Sequence, residues 1–330
     1  MRIVFNLIGC GLGNNGGSLT IVRSANVLSD LGHEVFIVDS IKNQHSWTKL
    51  KVPHIILRRN GITPKCDVVI ATGYETVDST LLYPGELRVH WIRGWETWKM
   101  NEKKIFRKVL DAPTIKIVNS TGLQNKLKQF NVQSHIIRPG NDLKECFPMN
   151  IRKSSEIVIG GLYHRRHETK RDFWVVETVK SLKKKRKDVK LYMIGIYKNP
   201  HYLEIDRYFQ EPEDSKKNIF YNKVSIWLSP SMNEGLHIVP QEAMLTECPV
   251  VTTNAELAGT EDYIEHMKTG LVAENNLQSF IEQTSRLIED HVLRRELGKS
   301  GRNKIIELES REDNMKKMVK LFEELLNGSN

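Results

Sequence analysis

Residues 224–252 read V-S-I-W-L-S-P-S-M-N-E-G-L-H-I-V-P-Q-E-A-M-L-T-E-C-P-V-V-T. Five apolar or small residues of strand type, 224–228, open the stretch. The run breaks at Ser229-Pro230-Ser231, passes the turn pair Glu234-Gly235, and continues as a short helix. Pro240 suits a first helical turn, where no amide hydrogen is needed. The helix is predicted to stop before Pro249, because the residue ahead of a proline is pushed out of the α region. A second buried-type run, 249–252, follows at once. The order is strand, loop, helix, strand.

A helix N-terminus facing a loop just beyond a strand offers unpaired amides and a positive dipole end to an anion. Two carboxylates bracket that spot, Glu234 in the loop and Glu242 in the predicted first turn. Acids are favourable in a first turn, so Glu242 reads as a helix-stabilising charge. It reads equally as a carboxylate accepting two hydrogen bonds from vicinal hydroxyls, as on a ribose or a hexose. The string around the two acids is long and ordered. Glu234-x7-Glu242, preceded by Ser229-Pro230-Ser231 and accompanied by Ala243-Met244 and Pro249-Val250-Val251, resembles the donor-site signature of family 4 glycosyltransferases.

At 330 residues the chain suits two domains better than one. Its 39% hydrophobic and 27% charged content is ordinary for a globular protein able to bury two cores. The four cysteines (Cys10, Cys66, Cys146, Cys248) show no paired spacing. Reduced thiols in a cytosolic compartment are therefore expected, rather than a disulfide frame or a structural zinc site. Asn6 and the glycines after it interrupt the apolar run that follows Met1-Arg2, so no signal peptide is expected. No window approaches the roughly 18 apolar residues of a spanning helix. The expected location is cytoplasmic, with peripheral attachment at the inner membrane face left open. The net charge of +9 is uneven. Residues 1–150 hold 20 Lys+Arg against 12 Asp+Glu, a net of +8, so the basicity bears on a partner of the N-terminal half. No nucleic-acid partner is expected.

Residues 2–8 read as a strand, followed by Gly9, Gly11, Gly13, Gly16 and Gly17 and then by a helix over 18–31. Gly32 is its predicted stop, and 34–38 the next strand. Gly11-Leu12-Gly13-Asn14-Asn15-Gly16 also fits the dinucleotide pattern G-x-G-x-x-G, with Asp39 where a ribose-binding acid would stand. That match is short, and the loop continues to Gly17-Ser18 instead of entering the helix directly. In the resembled family the first loop carries a Gly-Gly pair, matched by Gly16-Gly17, which lets the backbone approach the donor phosphates and the acceptor. Further strands are predicted at 54–57, 68–72, 88–92, 115–119 and 135–137. The later part of 95–110 reads as a basic amphipathic helix, with Ile105, Phe106, Val109 and Leu110 against Lys103, Lys104, Arg107 and Lys108. It is either an ordinary helix with a solvated face or a surface for anionic lipid or polymer. The family places a histidine near the acceptor after the fourth or fifth strand. Here His90 falls within the strand and Arg93 at its end, so the acceptor-side group is one or the other, and a strand histidine is by default a packed one.

Residues 137–142, I-R-P-G-N-D, resemble the turn that closes the family's first domain. The domains are predicted as 1–147, a polar linker 148–155, and 156–330, with a final helix at about 311–327 that in the family crosses back to the first domain. After a strand at 156–159 comes Gly160-Gly161-Leu162 and a basic loop, Y-H-R-R-H-E-T-K-R, before a helix over 172–183. The family has Gly-Arg-Leu here, then Lys-Gly, with the Arg and Lys holding a diphosphate. This chain has Gly161 in the arginine position and Lys170-Arg171 in place of Lys-Gly, so Arg165 or Arg166 stands in for the missing guanidinium. Residues 197–209 read as an irregular stretch near where the family seats its nucleotide base.

The resemblance implies an α/β protein of two Rossmann-like, doubly wound parallel-sheet domains facing a cleft, the GT-B architecture. It implies transfer of a hexosyl group from a nucleotide-sugar donor to a glycan or lipid-linked acceptor, with anomeric retention, in cell-surface polysaccharide or glycolipid synthesis. Glu242 would bind the ribose. Glu234 with the amides of Gly235 and Leu236 would position the sugar, and Lys170 with Arg165 or Arg166 would neutralise the leaving diphosphate. No Asp-x-Asp or histidine cluster offers a metal site, so neither metal nor cofactor is expected. Three rivals stand beside this reading. A glycoside hydrolase also uses two carboxylates, but leaves the basic loop without a task. A nicotinamide-dependent oxidoreductase rests on the glycine match, and a non-catalytic nucleotide- or sugar-binding module would keep the same residues without turnover.

Overall fold

In a computed structural model, described for residues 1–328 apart from 43–44, 58–62, 98–100 and 152–154, the apolar runs become two separate parallel sheets. The first is built from β1 (Arg2–Asn6), α1 (Gly16–Asp30), β2 (Glu34–Asp39), β3 (His54–Ile56), β4 (Cys66–Ala71), α2 (Val77–Leu81), β5 (Gly85–Ile92), α3 (Glu102–Ile105), β6 (Ile115–Val118), α4 (Thr121–Lys128) and β7 (His135–Ile136). Its strand order is β3-β2-β1-β4-β5-β6-β7. The second comprises β8 (Ile157–Leu162), α5 (Asp172–Lys183), β9 (Val189–Gly195), β10 (Arg207–Gln210), α6 (Asp214–Lys223), β11 (Ile226–Ser229), α7 (Ile238–Leu245), β12 (Val250–Thr253), β13 (Leu271–Ala273), α8 (Leu277–Glu289) and α9 (His291–Glu307). Its order is β10-β9-β8-β11-β12-β13. Both sheets have the doubly wound Rossmann-like order, reversing direction between β1 and β4 and between β8 and β11. Ile3, Val4 and Phe5 of β1 and Val68, Val69 and Ile70 of β4 are all fully buried, as strands covered on both faces must be.

Local chemistry sets the element ends. Asn15 caps α1, its side chain accepting the Ser18 amide at 2.9 Å. Gly32, at φ +89°, turns the chain after that helix. Two of the elements that depart from the sequence pattern lie in the second unit, close to one another in the chain. Within the stretch predicted as irregular, Arg207–Gln210 forms an edge strand against β9. The helix α6, with Phe220 and Tyr221 buried, has too weak a periodicity to stand out in the sequence.

The compact units are 1–140 with the residues from 311 on, and 141–310. The chain leaves the first at Gly140, whose φ is +66°. The segment after it is already bonded into the second unit. The Phe147 amide donates to Asn218 and the Met149 amide to Asn222, both on α6, and Asn141 Nδ2 donates to Gln241 Oε1 at 2.6 Å. These bonds put the division ahead of 148–155, a range whose residues 152–154 lie outside those described. The helix α10 (Arg311–Asn327) belongs to the first unit, where Met315, Met318 and Phe322 are fully buried with Ile3, Phe5 and Ile21.

Candidate active site

The reversal point between β8 and β11 is where an open α/β sheet binds ligands, beyond the carboxyl ends of its strands. The loops that follow these two strands, 163–171 and 230–237, meet there. Lys170 Nζ lies 2.7 Å from Oε2 of Glu234. Glu234 is held from behind: its amide donates to Leu257 O at 2.8 Å, and the next turn brings Gly259 against it. Gly259 has φ +71°, and a Cβ there would lie 2.6 Å from Glu234 Cβ, so both conformation and space require glycine. The amides of Gly235 and Leu236 donate to no acceptor among the described residues, and α7 begins two residues later without a side-chain cap.

Burial pushes the Glu234 carboxyl upward, but His237 and Lys170 outweigh it and hold the group down at about 2. His237, whose Nε2 is 3.5 Å from Glu234 Oε1, is taken to about 4 by burial, which Glu234 only partly offsets. The imidazole is therefore neutral at pH 7, and the cation that keeps Glu234 ionised there is Lys170. Lysine has three N–H bonds, so the pairing leaves donors for a second anion.

Glu242 is the fifth residue of α7, past the first turn, which removes the helix-dipole account of its charge. It is buried, with Oε1 3.0 Å from Lys217 Nζ and Oε2 accepting from Tyr221 Oη at 2.8 Å. Burial and then the Glu242 charge raise the Tyr221 phenol well above its ordinary range, keeping it a donor. A carboxylate has about four lone-pair sites, so two further hydrogen bonds fit.

The basic loop is wound through left-handed arginines: φ is +56° at Arg165, +58° at Arg166 and +50° at Arg171. Asp172 Oδ2 holds this winding, accepting the amides of His164 and Arg166 at 2.9 Å each. Arg165 stacks on Tyr197 with Cζ 4.0 Å from the ring centre, and Arg166 is exposed. Gly161 could not carry the missing arginine, since a Cβ there would meet Val175 Cγ1 at 2.7 Å.

Gly16, Gly17 and His90 lie in the other unit. The two glycines open α1, and Arg93 donates to Gly17 O at 2.6 Å and to Thr72 O at 2.5 Å, tying the glycine loop to the end of β4. His90 is buried within β5, two residues before its end, and its Nδ1 has no hydrogen-bond partner. Burial, then Lys116 and Arg93, lower its pKa to about 3. Asp39 is fully buried, its Oδ1 accepting the amides of Ser40 and Ile41 and its Oδ2 facing His54 Nε2 at 3.7 Å, so the acid that the dinucleotide pattern needs is turned into the protein. The structure thus brings Glu234 and Lys170 together, and keeps Glu242 on the same helix-and-loop unit. It adds His237, Lys217 and Tyr221, which the sequence does not single out. Lys217 and Tyr221 are spaced i,i+4 on α6 and so share a face.

Residues 156–290 match the family described as Glycosyl transferases group 1. The chain is similar to the capsular polysaccharide biosynthesis glycosyltransferase CapM of Staphylococcus aureus, at 28% identity over 141 residues, 40% of this chain and 37% of that protein. It spans about a third of the length of the curated relatives it matches. Among solved structures it resembles sucrose-phosphate synthase from Thermosynechococcus elongatus, with TM-score 0.80 and 15% identity over 99% of this chain and 100% of that one. It also resembles Anabaena Alr3699/HepE in complex with UDP-glucose, with TM-score 0.77 and 12% identity over 98% and 99% of the two chains. These likenesses show the fold, two Rossmann-like parallel-sheet domains of the GT-B type. Among the described residues no group of three His, Cys, Asp or Glu side chains could hold a metal ion, and no helix is long and apolar enough to cross a membrane.

Proposed function

We propose that the chain is a retaining glycosyltransferase that moves a hexosyl group from a nucleotide-diphosphate sugar to a hydroxyl of a glycan or lipid-linked acceptor in cell-surface polysaccharide or glycolipid synthesis. The observation that carries this reading is the half-buried Glu234–Lys170 pair at the sheet reversal of the unit that matches the glycosyl transferase family. Glu234 accepts from the donor sugar's hydroxyls, flanked by the free amides of Gly235 and Leu236. The remaining Lys170 protons, with Arg166 or Arg165, meet the diphosphate as its negative charge grows on bond cleavage. The open lone pairs of Glu242 take the ribose hydroxyls. Charge on the leaving group is then met by side chains and amides, and the reaction so proposed uses neither metal nor cofactor. The complex of HepE with UDP-glucose and the capsular role in the name of CapM support a nucleotide-sugar donor and a cell-surface product.

The test is turnover of a panel of UDP-, GDP- and ADP-sugars by the full chain, with anomeric configuration read by NMR. Retention with one donor is expected; inversion, or inertness to the whole panel, overturns the reading. In Glu242→Gln, loss of a charged acceptor is expected to weaken donor binding by about 1.5–3 kcal/mol. Unchanged affinity would leave Glu242 a structural partner of Lys217 and Tyr221 alone.

A further inference from the structure

The His237 ring has no part in the scheme above, yet it is held on every side. The residue occupies the N-cap of α7, a position where Ser, Thr, Asp or Asn normally bonds the helix amides, and its ring makes no such bond. Nδ1 lies instead 3.0 Å from Oγ of Ser229, the residue that ends β11. Nε2 faces Glu234 Oε1 at 3.5 Å. The backbone is fixed as well, its amide donating to Gly259 O at 3.0 Å and its carbonyl accepting from Tyr263 Oη at 2.6 Å. Both Ser229 and His237 are buried.

These contacts select one tautomer. Glu234 is ionised at neutral pH and offers only acceptors, so a proton on Nε2 is attracted to Oε1, while a lone pair there would be repelled. Nδ1 must then accept, and the Ser229 hydroxyl is in place to donate. The two oxygens of Glu234 end up unequal. Oε2 takes a full hydrogen bond from Lys170. Oε1 is buried and has no hydrogen-bond partner, with Nε2 near enough to orient it and too far to saturate it.

We propose that His237 is a positioning residue: as the Nε2–H tautomer set by Ser229, it fixes the buried Oε1 edge of Glu234 and so the direction in which the carboxylate presents its Oε2 edge, beside Lys170, to a hydroxyl of the donor sugar. The identity of that hydroxyl rests on the glycosyl-transfer reading; the tautomer does not.

Two measurements test it on the full chain. Ring 15N shifts, with His237 assigned by its loss in His237→Gln, are expected to show the Nε2–H form in the parent and a mixture in Ser229→Ala. An Nδ1–H ring in the parent overturns the proposal. In kinetics on the glucose conjugates of UDP, GDP and ADP, His237→Leu is expected to lower kcat by about 10- to 100-fold, the scale of a small misplacement at a reacting centre. Affinity for the corresponding bare nucleoside diphosphates should stay within about twofold, because the diphosphate ligands are untouched. His237→Gln, which keeps an N–H near the Nε2 position, should recover most of kcat. Unchanged kcat in His237→Leu, or a joint collapse of nucleotide affinity and melting temperature in both variants, overturns the positioning role. A parent chain that turns over no nucleotide sugar removes the glycosyl-transfer reading, and the ring spectrum then decides the tautomer by itself.

Discussion

Glu234 carries a negative charge where water scarcely reaches, and Lys170 is its counter-ion at neutral pH. Removing one partner of such a pair leaves the other charge uncompensated, which costs more than the pair itself contributes. Lys170→Ala is therefore expected to destabilise the second unit by about 1–3 kcal/mol, the smaller end reflecting the partial exposure of the lysine. Adding Glu234→Gln should recover part of that loss in urea unfolding. Binding of nucleoside diphosphates should fall far more than binding of the bare nucleosides; equal losses would give Lys170 a structural task only. Glu234 and Glu242 are legible as candidates in the sequence because they share an ordered string of turn residues, prolines and a short helix, and Lys170 because it closes a basic loop between a strand and a helix. Lys217 and Tyr221 are not, because the contacts that give them meaning run from α6 to α7 and the α6 sequence carries little periodicity. His237 stands in plain view between the two glutamates, but nothing in a sequence says which way an imidazole faces.

At the scale of elements, β8 and α5 explain a departure that the sequence registers but cannot interpret. Gly161 replaces an arginine of the resembled pattern, and the structure shows why: Val175 of α5 packs directly over it. Gly161→Ala is expected to cost about 1–3 kcal/mol by overpacking. Gly161→Ala with Val175→Ala should recover stability, and a Gly161→Ala variant as stable as the parent in urea would mean that α5 shifts freely. The basic segment has the amphipathic form its sequence predicts over the described residues, with Ile105, Val109 and Leu110 buried and Lys103, Lys104 and Arg107 exposed. Lys108 differs, being paired with Asp78 at 2.7 Å. Basic residues near an anionic bilayer gain about 1 kcal/mol each, an attraction that salt screens. The chain is expected to sediment with anionic liposomes at low salt and to leave them as salt rises. Lys103→Gln, Lys104→Gln and Arg107→Gln together should abolish this while sparing donor turnover. A parent that ignores such liposomes leaves the segment an ordinary solvated face.

Over the whole molecule, each unit buries a neutral histidine. Burial takes His90 to about 3 and His237 to about 4, below the ~6.5 of an unfolded histidine. Between those values the unfolded chain binds protons that the native chain refuses, so stability rises with pH. This contribution is complete above about pH 6.5 and is lost as pH falls toward 4 and then 3. Burial opposes the charge on Glu234, but its cations keep it near 2, so its own contribution is lost further down, between about pH 4.3 and 2. Each group adds a slope of up to about 1.4 kcal/mol per pH unit inside its window. The melting temperature should therefore decline from pH 6.5 to 4, and His90→Leu should flatten the decline for the first unit. A melting temperature constant over that range would mean that the histidines are charged or solvent-exposed. The return of the chain to the first unit at Arg311 has a different consequence, for the order of events on the ribosome. The first sheet is synthesised early, but its core is completed only when Met315, Met318 and Phe322 arrive. At ordinary elongation rates the wait from Gly140 to Phe322 lasts about 10–40 s. During it the second unit emerges whole while the first holds an apolar seat open to solvent, a natural client for chaperones. The half of the molecule that is made first is the half that is finished last.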